Sequence, residues 1–176
     1  VIVDAGWYTE SESDAFAKTC GDWEICEKKI PDMQALVDEI HKLGMKFMVW
    51  FSVPFVGFDS ENHKRFKDRF LCDRPGVFAS VLDPRFPEVR RFLINTYCNY
   101  VKKYNWDGLK LDFIDRFIIN DESSKEYDKM DTPSVNVALQ LLLNEATTEL
   151  KKINPEIMIE FRQSYIGPVL TQYCNF

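Results

Sequence analysis

Residues 45–53 read Met-Lys-Phe-Met-Val-Trp-Phe-Ser-Val, an apolar run broken only by Lys46 and Ser52. A strand with one wet face alternates polar and apolar residues. A nearly unbroken β-branched and aromatic run instead fits a strand buried on both faces, the kind found in parallel sheets covered by helices. Working upstream, Pro31 marks a helix start, and Met33, Leu36, Val37, Ile40 and Leu43 recur at spacings of three and four. Gly44 closes that helix. Further back, Val1-Ile2-Val3 reads as a short strand running into Asp4-Ala5-Gly6-Trp7-Tyr8, and residues 9–30 are polar and irregular.

Downstream the alternation continues. A short helix is predicted over 61–70 and a strand over Val77–Leu82. Pro87 then opens a helix with the apolar stripe Val89, Phe92, Leu93, Thr96, Tyr97, Tyr100 and Val101. Strand Gly108–Phe113, a polar loop to about 131, helix 134–152, strand Ile157–Phe161 and a helical start near Pro168 complete the reading. Strands alternating with helices imply right-handed crossovers and a parallel sheet. Neither GxGxxG nor GxxxxGK[ST] occurs, which disfavours both nucleotide-binding types. The expected fold is α/β, a (β/α)8 TIM barrel. A whole barrel takes about 250 residues, so 176 residues hold about its first five βα units. Residues 1–176 then form one partial catalytic domain, a piece of something longer. An open flavodoxin-like sheet is the alternative.

Composition narrows the function. A hydrophobic fraction of 45% excludes a disordered chain. A net charge of −6 argues against nucleic-acid binding, which needs clustered cations. His63-Lys64-Arg65 and Lys102-Lys103 are short enough to be solvated helix faces. No run approaches the roughly 20 apolar residues of a membrane span. Cysteines at 20, 26, 72, 98 and 174 form no CxxC pair, so neither a zinc site nor any other metal or cofactor is expected. Cys20 and Cys26 read either as buried thiols or as a disulfide. Compartment and homo-oligomer formation are not legible.

In a parallel α/β protein, reactive side chains gather at the carboxyl ends of the strands. Those ends carry Asp4, Trp7 and Tyr8; Trp50, Phe51 and Ser52; Asp83; Lys110, Asp112 and Asp115; and Glu160 and Arg162. Carboxylates, cations and aromatics together suit a polyhydroxylated ligand. Side-chain alternation puts Leu109, Leu111 and Phe113 toward the helices and Lys110 and Asp112 toward the barrel interior. A carboxylate beside a cation at a strand end suits a glycosidase nucleophile, and a structural Lys110–Asp112 ion pair suits the spacing equally. Glu160 and Arg162 likewise point inward, as ligand groups or as an internal salt bridge. Trp50 reads as barrel filling or as a pocket wall. Asp83-Pro84 reads mainly as a helix-entry turn, and His41 and His63 as surface residues.

Taken in order, these segments resemble the catalytic barrel of α-galactosidase-type glycoside hydrolases, the melibiase group of family 36 and its clan. Val3-Asp4-Ala5-Gly6-Trp7-Tyr8 resembles the family's Asp-Asp-Gly-Trp. Gly21-Asp22-Trp23 with Lys29-Ile30-Pro31 is similar to its GDW…KFP, and Gly44 to Phe51 to its Gly-x-Lys-Phe-Gly-x-Trp-Phe strand. Leu82-Asp83 with Pro87-Glu88-Val89-Arg90 resembles Leu-Asp…Pro-Glu-Val-Arg, and Leu109 to Phe113 resembles Ile-Lys-x-Asp. The resemblance implies a retaining hydrolase of α-linked oligosaccharides and glycosides, with Asp112 as nucleophile. Asp4, Trp50 and Lys110 would bind the sugar, and Arg162 is a further substrate-binding candidate. The family's general acid/base, an Asp after strand 6, has no match here, so the 176-residue piece is expected to be inactive alone. Ala5 stands where the family has its second Asp, and Arg162-Gln163-Ser164-Tyr165 replaces Cys-Ser-x-Gly-Gly, which bears on galactose specificity. A silent sugar-binding barrel, or an enzyme using Lys110 as a Schiff-base amine, are the competing readings.

Overall fold

The computed structural model describes residues 1–8, 17–118, 127–162 and 167–175. Along them run β1 (Ile2–Val3), α1 (Met33–Lys42), β2 (Met48–Ser52), β3 (Phe55–Gly57), α2 (Glu61–Arg65), β4 (Phe70–Arg74) and β5 (Ala79–Leu82). Then follow α3 (Pro87–Tyr104), β6 (Gly108–Asp112), α4 (Val135–Ile153) and β7 (Met158–Glu160). One sheet has the order β1-β2-β6-β7, with every pairing parallel. β2 is buried along its whole length, as an unbroken apolar run requires of an inner strand.

The helices start and stop where their caps dictate. Asp32 accepts the Ala35 N–H at 2.9 Å to open α1, and Gly44 at φ +72° ends that segment. Pro87 fills the first turn of α3, where a missing N–H costs nothing, and Asn105 ends it in the left-handed region. Ser134 accepts the Val137 N–H to open α4. α3 packs along α4 and also touches α1, as crossover helices do on the outside of a parallel sheet. Gly108 is needed at the start of β6, because a Cβ there would lie 2.5 Å from the Met158 carbonyl oxygen.

The parallel sheet has four strands among the described residues, not five. The expected strand Val77–Leu82 is present as β5, but it pairs antiparallel with β3 and β4 in a separate sheet of order β3-β5-β4. After Pro54, which cannot donate to a ladder, the chain leaves the parallel sheet, and Leu82 N–H bonds back to the Pro54 carbonyl at 2.8 Å. The helix expected over 61–70 stops at Arg65, and β4 follows with a register shift between Phe70 and Cys72. Gly57, at the end of β3, lies so close to the Lys18 carbonyl that a Cβ would clash at 2.0 Å. Pro168 begins turns rather than a helix.

Beneath β2 sits an aromatic nest in which all four tryptophans are at most 2% exposed. Trp7 stacks on Trp23 at 6.0 Å, Tyr100 stacks on Trp106 at 5.1 Å, and Phe51 meets both Trp7 and Trp23 edge-on. Such rings bury about 150–250 Å² each, which makes this nest the main apolar reserve of the segment. Trp7 and Tyr8, expected near a ligand, belong to it instead. All five cysteines are free thiols. Burial pushes the Cys20 thiol up to about 12, and its Sγ donates to the Tyr8 hydroxyl.

Candidate active site

Parallel pairing sends β1, β2, β6 and β7 out at one end, and register decides which residues meet there. Trp50 lies beside Lys110, and Lys110 beside Glu160. Val3 pairs with Val49, so Asp4 comes next to Trp50 at the same level. One layer further out, Ser52 lies opposite Asp112, and Arg162 follows two residues past Glu160. Asp4, Trp50, Lys110, Asp112 and Arg162 therefore occupy two successive layers at the carboxyl end of the sheet, the functional end of a barrel.

Asp112 is 5% exposed. The Trp50 indole N–H donates to its Oδ2 at 3.0 Å, and the Phe113 backbone N–H donates to Oδ1 at 2.7 Å. Arg162 Nη1 stands 3.7 Å from Oδ1 with its guanidinium 5.8 Å above the Phe113 ring. Arg162 is half exposed, so the opening toward solvent is on its side. Ser52 Oγ, buried at the same level, makes no hydrogen bond among the described residues.

Lys110 does not pair with Asp112. Its Nζ donates to Asp4 Oδ2 at 2.6 Å, across the intervening β2. Burial alone would raise the Asp4 carboxyl, but the hydrogen bonds from Lys110 and the Ala5 N–H, with the Lys110 charge, hold it below 3.8. The internal Glu160–Arg162 bridge is likewise not formed: Arg162 faces Asp112, and Glu160 has no ion-pair partner among the described residues.

Trp50 as a pocket wall needs correction. Its ring is 2% exposed, with Tyr8 stacked at 6.2 Å and Phe113 edge-on at 6.3 Å, which leaves no open face for a sugar. The part of Trp50 that reaches the site is its N–H. Phe113 also departs from its expected place. At φ +62° it leaves the strand in the left-handed region, and its ring packs on Trp50 and Phe55 rather than among the helices. No pattern in the sequence signals that turn.

The remaining candidates sit elsewhere. Asp83 is fully buried and bound by Arg85 through its side chain and backbone N–H, a clamp on the turn into α3. Asp115 faces Arg116. His41 is not a plain surface residue, since its Nε2 lies 2.7 Å from Asp107 at the opposite end of β6. His63 stacks on Phe70 and reaches Ser80 Oγ. Among the described residues, no group of three or more His, Cys, Asp or Glu side chains is placed to hold a metal. No helix among them is long and apolar enough to cross a membrane.

The fold and the strand-end cluster define a (β/α)8-barrel segment with a carboxylate site at its carboxyl end. Residues 1–167 match the melibiase family, and the chain belongs to that family. Among curated relatives, α-galactosidase Mel36A of Lactobacillus acidophilus is 30% identical over 76 residues, 43% of this chain and 10% of that protein. The bifunctional α-galactosidase/sucrose kinase AgaSK of Mediterraneibacter gnavus is 30% identical over 118 residues, 64% of this chain and 12% of that protein. Two solved structures superpose on 91% of the chain with TM-score 0.70 and 22% identity. They are the α-galactosidase of Lactobacillus brevis and α-galactosidase AgaA of Geobacillus stearothermophilus in complex with stachyose, of which the match covers 22% and 23%. Their likeness establishes the barrel fold over an open flavodoxin-like sheet. The chain spans 10–16% of the length of the curated relatives it matches first.

Proposed function

We propose that this chain supplies part of the catalytic barrel of a retaining α-galactosidase-type glycoside hydrolase, with Asp112 as its nucleophile. The observation that carries the proposal is the setting of Asp112. It ends a barrel strand in a melibiase-family chain, with each carboxylate oxygen oriented by an N–H donor and a guanidinium beside it.

In the first step an Asp112 oxygen bonds to the anomeric carbon as the glycosidic C–O bond breaks, and the leaving oxygen takes a proton from a general acid. Water, giving its proton to that same group, then attacks the anomeric carbon and releases Asp112. We place the acid/base in a part of the barrel outside these 176 residues, as the family resemblance implies. The segment alone is then inactive, and its domain continues in a longer protein. Trp50 holds the nucleophile in position. The Asp4–Lys110 pair offers one acceptor and one donor to sugar hydroxyls, and Arg162 stands at the open side as a substrate-binding cation.

The preferred substrates are α-linked galactosides, by analogy with the neighbour solved with stachyose. Ala5 and Arg162, where the family has Asp and Cys, shift the hydroxyl pattern that the bound sugar must present; Gln163, Ser164 and Tyr165 lie outside the described residues. The Schiff-base alternative finds no support, because Lys110 Nζ is bound to Asp4.

The test is covalent trapping in the full-length protein. A fluorine at C5 of the sugar slows both steps, and an activated leaving group keeps the first one fast, so a 5-fluoro-α-galactosyl fluoride lets the glycosyl-enzyme accumulate. Its glycosyl mass is expected on the peptide containing Leu109–Phe113. An adduct on another peptide, or none while the substrate is turned over, contradicts the assignment.

A further inference from the structure

Phe113 has two sides. Its backbone N–H holds Asp112, while its ring lines a separate concavity of about 510 Å³ between the antiparallel sheet and the end of β6. The apolar floor is Phe55, Val77 and Phe113, with the two phenyl rings 5.3 Å apart. The rim carries Arg74, Arg116 and Asp73. Asp73 accepts the Ser80 hydroxyl at 2.6 Å, and Ser80 in turn meets His63. Arg116 is shared with Asp115 at 3.5 Å. Arg74, half-buried at the end of β4, pairs with Ala79 through the sheet, but its guanidinium has no hydrogen-bond or ion-pair partner among the described residues.

A guanidinium lining a partly apolar cavity is a ready site for an oxyanion. Its fork of N–H groups matches a carboxylate or sulfate through two parallel hydrogen bonds, while the floor accepts the C–H face of a sugar ring. The cavity and Asp112 share Phe113, whose ring lines the one and whose backbone N–H holds the other, so the two are neighbours.

We infer that this cavity is a subsite for an acidic sugar residue, carrying a carboxylate or sulfate group, in the substrate on which Asp112 acts. The inference rests on the glycosidase reading for the identity of the neighbouring site. Arg74 is the specificity-determining residue, with Arg116 in support. The antiparallel excursion β3-β5-β4 thereby serves the site, because it brings Arg74 to the rim of the catalytic end.

Equilibrium titration of the full-length protein with galacturonic acid, galactose 6-sulfate and galactose tests this without turnover. At least one anionic sugar is expected to bind tenfold or more tightly than galactose. Arg74→Gln should bring that preference within twofold, and Arg74→Lys, which keeps the charge and loses the fork, should leave an intermediate value. The ratio between the two acids tells carboxylate from sulfate. Should Arg74→Gln fold poorly by its melting temperature, Arg116→Gln serves instead, with an expected severalfold loss of preference. Equal binding of all three sugars, or a preference that both substitutions leave intact, overturns the inference. Failure of covalent trapping with the anionic preference present counts against the glycosidase reading alone.

Discussion

β6 begins beside one aspartate and ends on another, and the two are handled differently. Asp107, at the amino end, is 8% exposed and closed in by protein. His41 Nε2 lies 2.7 Å from Oδ2, Lys46 donates to Oδ1 at 2.8 Å, and the Phe47 N–H donates to Oδ2 at 2.9 Å. These contacts tie α1, the approach to β2 and the start of β6 together. Asp112, as deeply buried, faces the open end, where its donors fix its orientation and a half-exposed arginine stands next to it. Burial alone therefore does not separate the two carboxylates. The end of the strand on which each sits supports the proposed reactive role of Asp112, in keeping with the division of a barrel into a stability face and a functional face.

The sharpest break in this comparison is expected on deleting the proposed nucleophile. Asp112→Gly in the full-length protein should lower turnover by several powers of ten, and added azide should restore part of it by attacking from the vacated space. Unchanged turnover, or no response to azide, would weaken the assignment. Trp50→Phe keeps an aromatic ring but loses the N–H on Asp112. It should lower kcat by roughly ten- to a hundredfold with little change in KM, since a misaimed nucleophile slows the chemical step more than it weakens binding. A change confined to KM would make Trp50 a substrate contact instead.

At the other end the expected loss is in stability. Asp107→Ala leaves the buried Phe47 N–H unmet and should cost about 1–3 kcal/mol in denaturant unfolding, with turnover per folded molecule near normal. Lys46 is mostly exposed, so its share of that loss is small. Burial raises the Asp107 carboxyl, but the hydrogen bonds from Lys46, Phe47 N–H and His41 outweigh it and hold it below 3.8. A depressed carboxyl stabilises the fold above its unfolded value and loses that contribution as pH falls through the lower, folded one. Melting temperature should thus decline on acidification below about pH 4 in the native protein, and less steeply in Asp107→Asn. Parallel declines in the two proteins would remove Asp107 from the acid limb.

Much of this was legible in the sequence. The nearly continuous apolar run at 45–53 marked a doubly buried strand, which is narrower than the run at Met48–Ser52, and the alternation at 108–112 placed Lys110 and Asp112 on one face. Pro31, Pro87 and the apolar stripes located the helices. What escaped reading was everything set across the sheet. Spacing along β6 suggested a Lys110–Asp112 pair because residues two apart on a strand share a face about 6.6 Å apart. Asp4, two strands away at about 9.5 Å, is within reach of a long lysine and wins. The Trp50–Asp112 bond, joining residues 62 positions apart, likewise follows from register rather than from composition. β3, β4 and β5 are three to five residues long, too short for periodicity to separate them from the parallel strands. With them went Arg74 and the cavity beside Phe113.

The central claim is that Asp112 serves chemistry and not cohesion. It is tested most directly by measuring melting temperature and turnover on one preparation of the full-length Asp112→Asn protein. Asparagine preserves the volume and an acceptor for the Trp50 N–H, so the account predicts a melting temperature within a few degrees of the native value and turnover reduced by several powers of ten. A variant that melts far lower yet keeps its rate per folded molecule would contradict it, and would make Asp112 a structural carboxylate like Asp107.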